Sequence, residues 1–145
     1  MIAIASDHAG FHYKEKVKAL LTQKKLQFKD FGTQSAESVD YPDFAHAASE
    51  AISTGQCDQG IFVCGSGIGV SIVANKHKGV RAAACESVTT AALSRRHNNA
   101  NVLCFGERIV GWGVAEEMIN VFLTTNFEAG HHTQRVEKIH SLTGR

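Results

Sequence analysis

Short, almost wholly apolar segments recur along this chain, and each is followed by a stretch with helical periodicity. Residues 2–6, 60–63 and 101–105 are of strand length and offer apolar side chains to both faces. Such strands need cover on both sides, which a parallel sheet flanked by helices supplies. Residues 27–31 read as a more polar strand near an edge, and residues 80–85 as a further strand. Between them, residues 10–25 place Val17, Leu20 and Leu21 on one helical face, with Lys14, Lys18 and Lys25 outside it. Pro42 suits the first turn of a helix over 43–53. Helices are also expected over 70–76, 87–96, 111–125 and 131–142, the last with Val136, Ile139 and Leu142 at helical spacing. The expected fold is α/β: a single three-layer α/β/α Rossmann-like domain over residues 1–145 with a five-stranded parallel sheet.

The length suits one domain and the 43% hydrophobic content suits a real core. Fifteen Lys and Arg against fourteen Asp and Glu, with no basic run, argue against a nucleic-acid partner. Met1 leads straight into a strand, with no charged n-region or cleavage site before it, and no apolar run approaches the ~20 residues of a membrane span. A cytoplasmic chain with no membrane partner is expected. Cys57, Cys64, Cys85 and Cys104 form no C-x-x-C pair, so free thiols are expected rather than disulfides or a zinc ribbon.

Ligands of such folds bind at the carboxyl ends of the strands. That rule collects Asp7-His8, Cys64 to Gly69, Cys85-Glu86 and Gly106-Glu107-Arg108 on one rim. Cys64 ends a buried strand and meets Gly65-Ser66-Gly67-Ile68-Gly69, which opens a helix. Backbone N–H groups exposed by such a loop favour anions, including a thiolate and an enolate-like oxygen. The loop is neither the dinucleotide fingerprint nor a nucleotide P-loop. Two uses of Cys64 fit: a nucleophile with His97 as its base, or a thiolate base that moves a proton on a sugar. The other three cysteines lack this setting and read as structural. Asp7 suits a helix N-cap and a ligand contact alike. His8 and His12 are four apart, but a metal site needs a third ligand, so no metal is expected. His97-Asn98 precedes a strand and belongs to the opposite edge, or to a neighbour's site. Arg108 and Arg135 carry forks that match phosphate oxygens.

Ser6-Asp7-His8-Ala9-Gly10, Asp40-Tyr41-Pro42, Cys64-Gly65-Ser66-Gly67-Ile68-Gly69, Ala74-Asn75-Lys76, Ser94-Arg95-Arg96-His97-Asn98 and Gly106-Glu107-Arg108-Ile109-Val110-Gly111 occur in that order. The ordered set resembles ribose-5-phosphate isomerases of type B, within the sugar-phosphate isomerase family that includes the galactose-6-phosphate isomerase subunits. The resemblance implies cofactor-free and metal-free interconversion of ribose 5-phosphate and ribulose 5-phosphate in pentose phosphate metabolism. It assigns Cys64 as the base, His97 to ring opening, Ser66 to the sugar oxygens and Asp7 to the hydroxyls. Gly65, Gly67, Ile68 and Gly69 would supply backbone donors to the enediolate. Tyr41 and Asn98 would bind substrate, and His8, Arg108 and Arg135 the phosphate. Family members form dimers with shared sites, so a homodimer or dimer of dimers is implied, with His97, Asn98 and Arg108 reaching a partner's Cys64.

Two departures stand out. Some relatives place a glutamate base further along the loop, where this chain has Val70-Ser71-Ile72. The family's Gly-Gly-Arg-His reads Ala129-Gly130-His131-His132 here, so His131 stands where a phosphate-binding arginine is expected. With a reference pKa of ~6.5, a histidine is only partly cationic at neutral pH. Isomerisation of a six-carbon sugar phosphate such as allose 6-phosphate, and non-catalytic phosphosugar binding, remain as alternatives.

Overall fold

A computed structural model describes residues 1–145. Five parallel strands form one sheet: β1 (Ile2–Ser6), β2 (Phe28–Asp30), β3 (Gln59–Cys64), β4 (Ala82–Ala84) and β5 (Val102–Gly106), in the order β2-β1-β3-β5-β4. The helices are α1 (Phe11–Gln23), α2 (Tyr41–Ser53), α3 (Ile68–Ala74), α4 (Val88–Asn98), α5 (Trp112–Thr124) and α6 (His131–Thr143). The Rossmann-like class expected from the sequence is the one observed. Strand ends differ from expectation by one or two residues, and β2 is shorter because only Phe28–Asp30 pair with β1.

The two-residue period of the strands sorts the core. Ile2, Ile4, Ile61, Val63, Leu103 and Phe105 face one side, against Val17, Leu21, Ala115, Met118, Ile119 and Phe122. Ala3, Ala5, Phe62, Cys64, Val102 and Cys104 face the other, against Ala45, Ala48, Val70 and Ala74. Cys64 therefore projects on the side of α2 and α3. The small alanines of β1 and α2 bring that helix close to the sheet. On α6 only Val136 is buried, while Ile139 and Leu142 lie exposed.

Strand order also positions the functional rim. The connection from β1 leads outward to β2, while β3 pairs with β1 on the other side, so the crevice at this reversal lies above β1 and β3. Beyond β3 the neighbour is β5, because β4 is pushed to the edge. Cys64 is thus in register with Gly106, and the loops after β3 and β5 are adjacent.

Lys14 corrects the helical-face reading, which placed it outside the buried stripe. Its side chain is 1% exposed, with Nζ 2.6 Å from Asp30 Oδ2 and 3.1 Å from Glu15 Oε2. Apolar periodicity does not see a lysine that buries its stem and pairs its charge across to β2. Burial alone raises the Asp30 pKa, but bonds from Lys14, the Gly32 N–H and Lys18 outweigh it and leave the carboxyl below its usual range. A depressed carboxyl stabilises the fold above its unfolded pKa and loses that contribution as pH falls through the folded pKa. Lys14→Ala is predicted to cost about 3 kcal/mol in urea unfolding at pH 7, with the deficit shrinking on the acid limb as Asp30 protonates. A negligible cost at pH 7 would mean that Lys18, 3.1 Å from the same carboxylate, replaces Lys14 fully.

Candidate active site

The glycine loop after β3 folds back on its own cysteine. Cys64 is 5% exposed, and its Sγ accepts a hydrogen bond from the Gly67 N–H at 3.1 Å. Gly67 has a φ of +80°, which turns its N–H toward the sulfur, and a Cβ there would sit 2.7 Å from the Phe105 carbonyl carbon. The Ser66 Oγ accepts from the Ile68 N–H at 3.2 Å. The backbone N–H groups of Gly65 and Ser66 are left without protein acceptors.

The β5 loop closes the other side. The Glu107 N–H donates to the Cys64 carbonyl at 2.9 Å, and the Arg108 N–H to the Gly65 carbonyl at 3.1 Å. Contact between the two loops is so close that a Cβ on Gly106 would meet the Gly65 carbonyl oxygen at 2.5 Å. Arg108 arches over Gly65, with Nη1 3.3 Å from where a Cβ would lie, and makes no ion pair within the chain.

Above β1, Asp7 caps the short 3-10 turn His8–Gly10, its Oδ1 accepting from the Gly10 N–H at 3.1 Å. The His8 Nδ1 is pinned 3.1 Å from the Val39 nitrogen. Together these groups line a cavity of about 640 Å³, with Asp7, His8, Cys64, Ser66 and Arg108 as its polar members and Tyr41, Ile68, Ile72 and Ile109 at its apolar rim. A buried sulfur, exposed N–H groups and a free guanidinium facing one cavity suit a small polyanion.

The remaining predicted residues lie elsewhere. His97 is in the last turn of α4, with its ring stacked on His132 at 4.5 Å and 15°. Glu128 stands 4.0 Å from the His97 Nε2 and 3.7 Å from that of His132. His131 packs against His132 at 4.0 Å, and Arg135 follows one turn on along α6. Removal from water, reinforced by His131, His97 and Arg135, pushes the His132 pKa below the ordinary histidine range, with Glu128 opposing. Asn98 lines a separate cleft with Arg81, Ile139 and His140. α4 ends at the amino edge of β5, and five residues at ~3.3 Å each put roughly 16 Å between that edge and the cysteine rim.

The sequence matches the ribose/galactose isomerase family over residues 2–139. The chain belongs to that family. It is 42% identical to ribose-5-phosphate isomerase B of Escherichia coli, over 99% of this chain and 97% of that one. It is 43% identical to the putative sugar phosphate isomerase YwlF of Bacillus subtilis, over 95% and 93% of the two chains. Among solved structures, ribose-5-phosphate isomerase B of Clostridium thermocellum superposes with a TM-score of 0.97 at 44% identity, covering 99% of this chain and 97% of that one. The Mycoplasma genitalium ribose-5-phosphate isomerase B with bound ribulose 5-phosphate gives 0.94 at 40%, covering 99% and 96%.

For this ribose/galactose isomerase, the structure unites Asp7, His8, Tyr41, Cys64, Gly65, Ser66, Ile68, Gly69 and Arg108 around one cavity, with Gly67 turned inward beneath it. His97, Asn98, His131 and Arg135 stand apart. Arg108 is a correction to the resemblance-based expectation that it reaches a partner's cysteine. The β3–β5 register places it over the Cys64 loop of its own chain. His132 and Glu128, in contact with His97, went unassigned in the sequence; only the doubled histidine at 131–132 pointed toward them. His8 and His12 gather no third ligand. All four cysteines are buried free thiols. Gly106→Ala is predicted to push the β3 loop off β5 and lower kcat about a hundredfold through misplacement of reacting groups, with far-UV circular dichroism retained. Near wild-type turnover would show that the loop spacing is not critical.

Proposed function

We propose that this isomerase interconverts ribose 5-phosphate and ribulose 5-phosphate through a cis-enediolate, with Cys64 as the base. The observation that carries this reading is the buried Cys64 sulfur, held by the Gly67 N–H at the floor of a cavity that also presents Ser66, Asp7 and Arg108. The thiolate removes the C2 proton of the open-chain aldose, and the electron pair moves into a C1–C2 double bond as the carbonyl oxygen gains charge. The unpaired Gly65 and Ser66 N–H groups offer donors for that oxygen, backed by the start of α3 at Ile68 and Gly69; one such donor is typically worth ~3 kcal/mol of barrier. Ser66 passes a proton between O1 and O2, and the cysteine returns its proton to C1. Asp7 and Tyr41 hold hydroxyls, and His8 and Arg108 take the phosphate. No step calls for a metal or cofactor.

Ring opening is assigned to His97, whose imidazole offers both a proton donor and a proton acceptor. Within one chain it lies on the wrong side of the sheet, so the complete site draws His97, Asn98, His131 and Arg135 from a second copy. The support is the separation above and the apolar rim of the cavity, where Ile68, Ile72 and Ile109 are 56%, 55% and 51% exposed. A homodimer, or a dimer of dimers, buries that rim and completes the site in the same contact.

Cys64→Ala is expected to lower kcat on ribose 5-phosphate about a thousandfold, while chelator leaves the wild-type rate unchanged. Full activity in Cys64→Ala would remove the cysteine as base. Turnover of allose 6-phosphate without turnover of ribose 5-phosphate would shift the reading to hexose phosphates.

A further inference from the structure

Behind the rim, α2 carries His46 and Glu50 one turn apart, and the turn that follows α3 brings His77 against both. His46 and Glu50 are exposed, whereas His77 is only 9% exposed. The three side chains offer ligand atoms that all lie within 4.8 Å of one another. None of them lines the cysteine cavity.

The buried histidine is held in one tautomer. Its Nδ1 lies 2.9 Å from the Val73 carbonyl oxygen and 3.3 Å from that of Ala74. A carbonyl oxygen only accepts, so Nδ1 carries the proton and Nε2 presents its lone pair. That lone pair meets the His46 Nδ1 at 2.7 Å and lies 3.8 Å from Glu50 Oε1. A ring N–H given to a backbone carbonyl is the outer support by which metal-ligating histidines fix their orientation. The other trio of this composition, His97, Glu128 and His132, lacks that support, since no ring nitrogen there bonds a carbonyl.

We propose that His46, Glu50 and His77 form a binding site for a transition-metal dication of the zinc class. The ligand atoms are His46 Nδ1, His77 Nε2 and one Glu50 carboxylate oxygen, and water completes the coordination from the open side. Two imidazoles and a carboxylate suit zinc, cobalt or nickel rather than magnesium or calcium. Tetrahedral zinc with bonds of ~2.0–2.1 Å sets its ligand atoms about 3.3 Å apart. The His77–Glu50 pair, at 3.8 Å, closes by about 0.5 Å to reach that spacing. The His46–His77 pair opens by about 0.6 Å on the same geometry, which the exposed His46 ring can supply. The entering cation replaces the proton shared between the two rings, and that proton leaves to solvent. Bound metal would clamp α2 to the α3–β4 turn, and both helices begin at the rim of the cysteine cavity, at Tyr41 and Ile68. The role is a brace on the cavity wall, outside the chemistry of isomerisation.

Equilibrium dialysis of chelator-treated full-length protein against Zn²⁺, with bound metal counted by atomic emission, tests this. One Zn²⁺ per chain is expected, with affinity falling about tenfold or more in His46→Gln and in Glu50→Gln and unchanged in His132→Gln. The exposed His46 carries the test, since its replacement leaves the core intact. Substitution by Co²⁺ is expected to give a spectrum without thiolate-to-metal charge transfer. No bound metal, an affinity indifferent to His46→Gln, loss of binding in His132→Gln, or a thiolate signature would each overturn the proposal.

Discussion

The ladder between β3 and β5 is the constraint on which the site depends. Because Cys64 lies in register with Gly106, the two strands end together and their loops must share the space above them. Only glycine at 106 leaves room for the Gly65 carbonyl, and the bonds from Glu107 and Arg108 then lock the β3 loop from behind. With its back fixed, the loop turns at Gly67 and directs that residue's N–H to the cysteine sulfur. The same register lays Arg108 across the cavity. A buried sulfur, exposed amide donors and a guanidinium are thereby delivered by backbone pairing, with little left to side-chain adjustment.

The sheet that builds this end also separates it from the other chemistry-bearing face. Helices that follow parallel strands run back to the amino edge, so α4 delivers His97 to the far side. There His97 stacks with His132 beside His131, Glu128 and Arg135, a surface rich in groups that bind or exchange protons. In the proposed account the sugar ring opens with one set of residues and isomerises with the other. In the proposed account a second copy reconciles them, and the apolar rim around Cys64 is where it docks.

The alternation of apolar strands with amphipathic helices was legible because the period of each element is written in its side chains. Cys64, Ser66, Asp7 and His8 were legible because strand ends and glycine loops carry local signals. Arg108 was found as a rim residue but lost to the partner in the resemblance, since the order β3-β5-β4 follows from long-range pairing that no local pattern records. Lys14 was misread because hydrophobic periodicity counts a lysine as solvent-facing, whereas Asp30 on a neighbouring strand neutralises it. Glu128 carried no signal of its own; it matters only through the fold that sets it beside His97 and His132. His46 and His77 are 31 residues apart and meet only through the packing of α2 on α3.

The measurement that tests the shared site most directly is complementation between two inactive variants. Cys64→Ala and His97→Gln proteins would be mixed, dissociated and reassembled, and ribose 5-phosphate turnover followed. If each site takes its cysteine from one chain and its histidine from the other, half of the sites in a hybrid dimer are intact. Random reassembly then restores about a quarter of wild-type activity for a two-fold symmetric dimer. Reassembled hybrids with no more activity than the separate variants would contradict a site completed by the second copy.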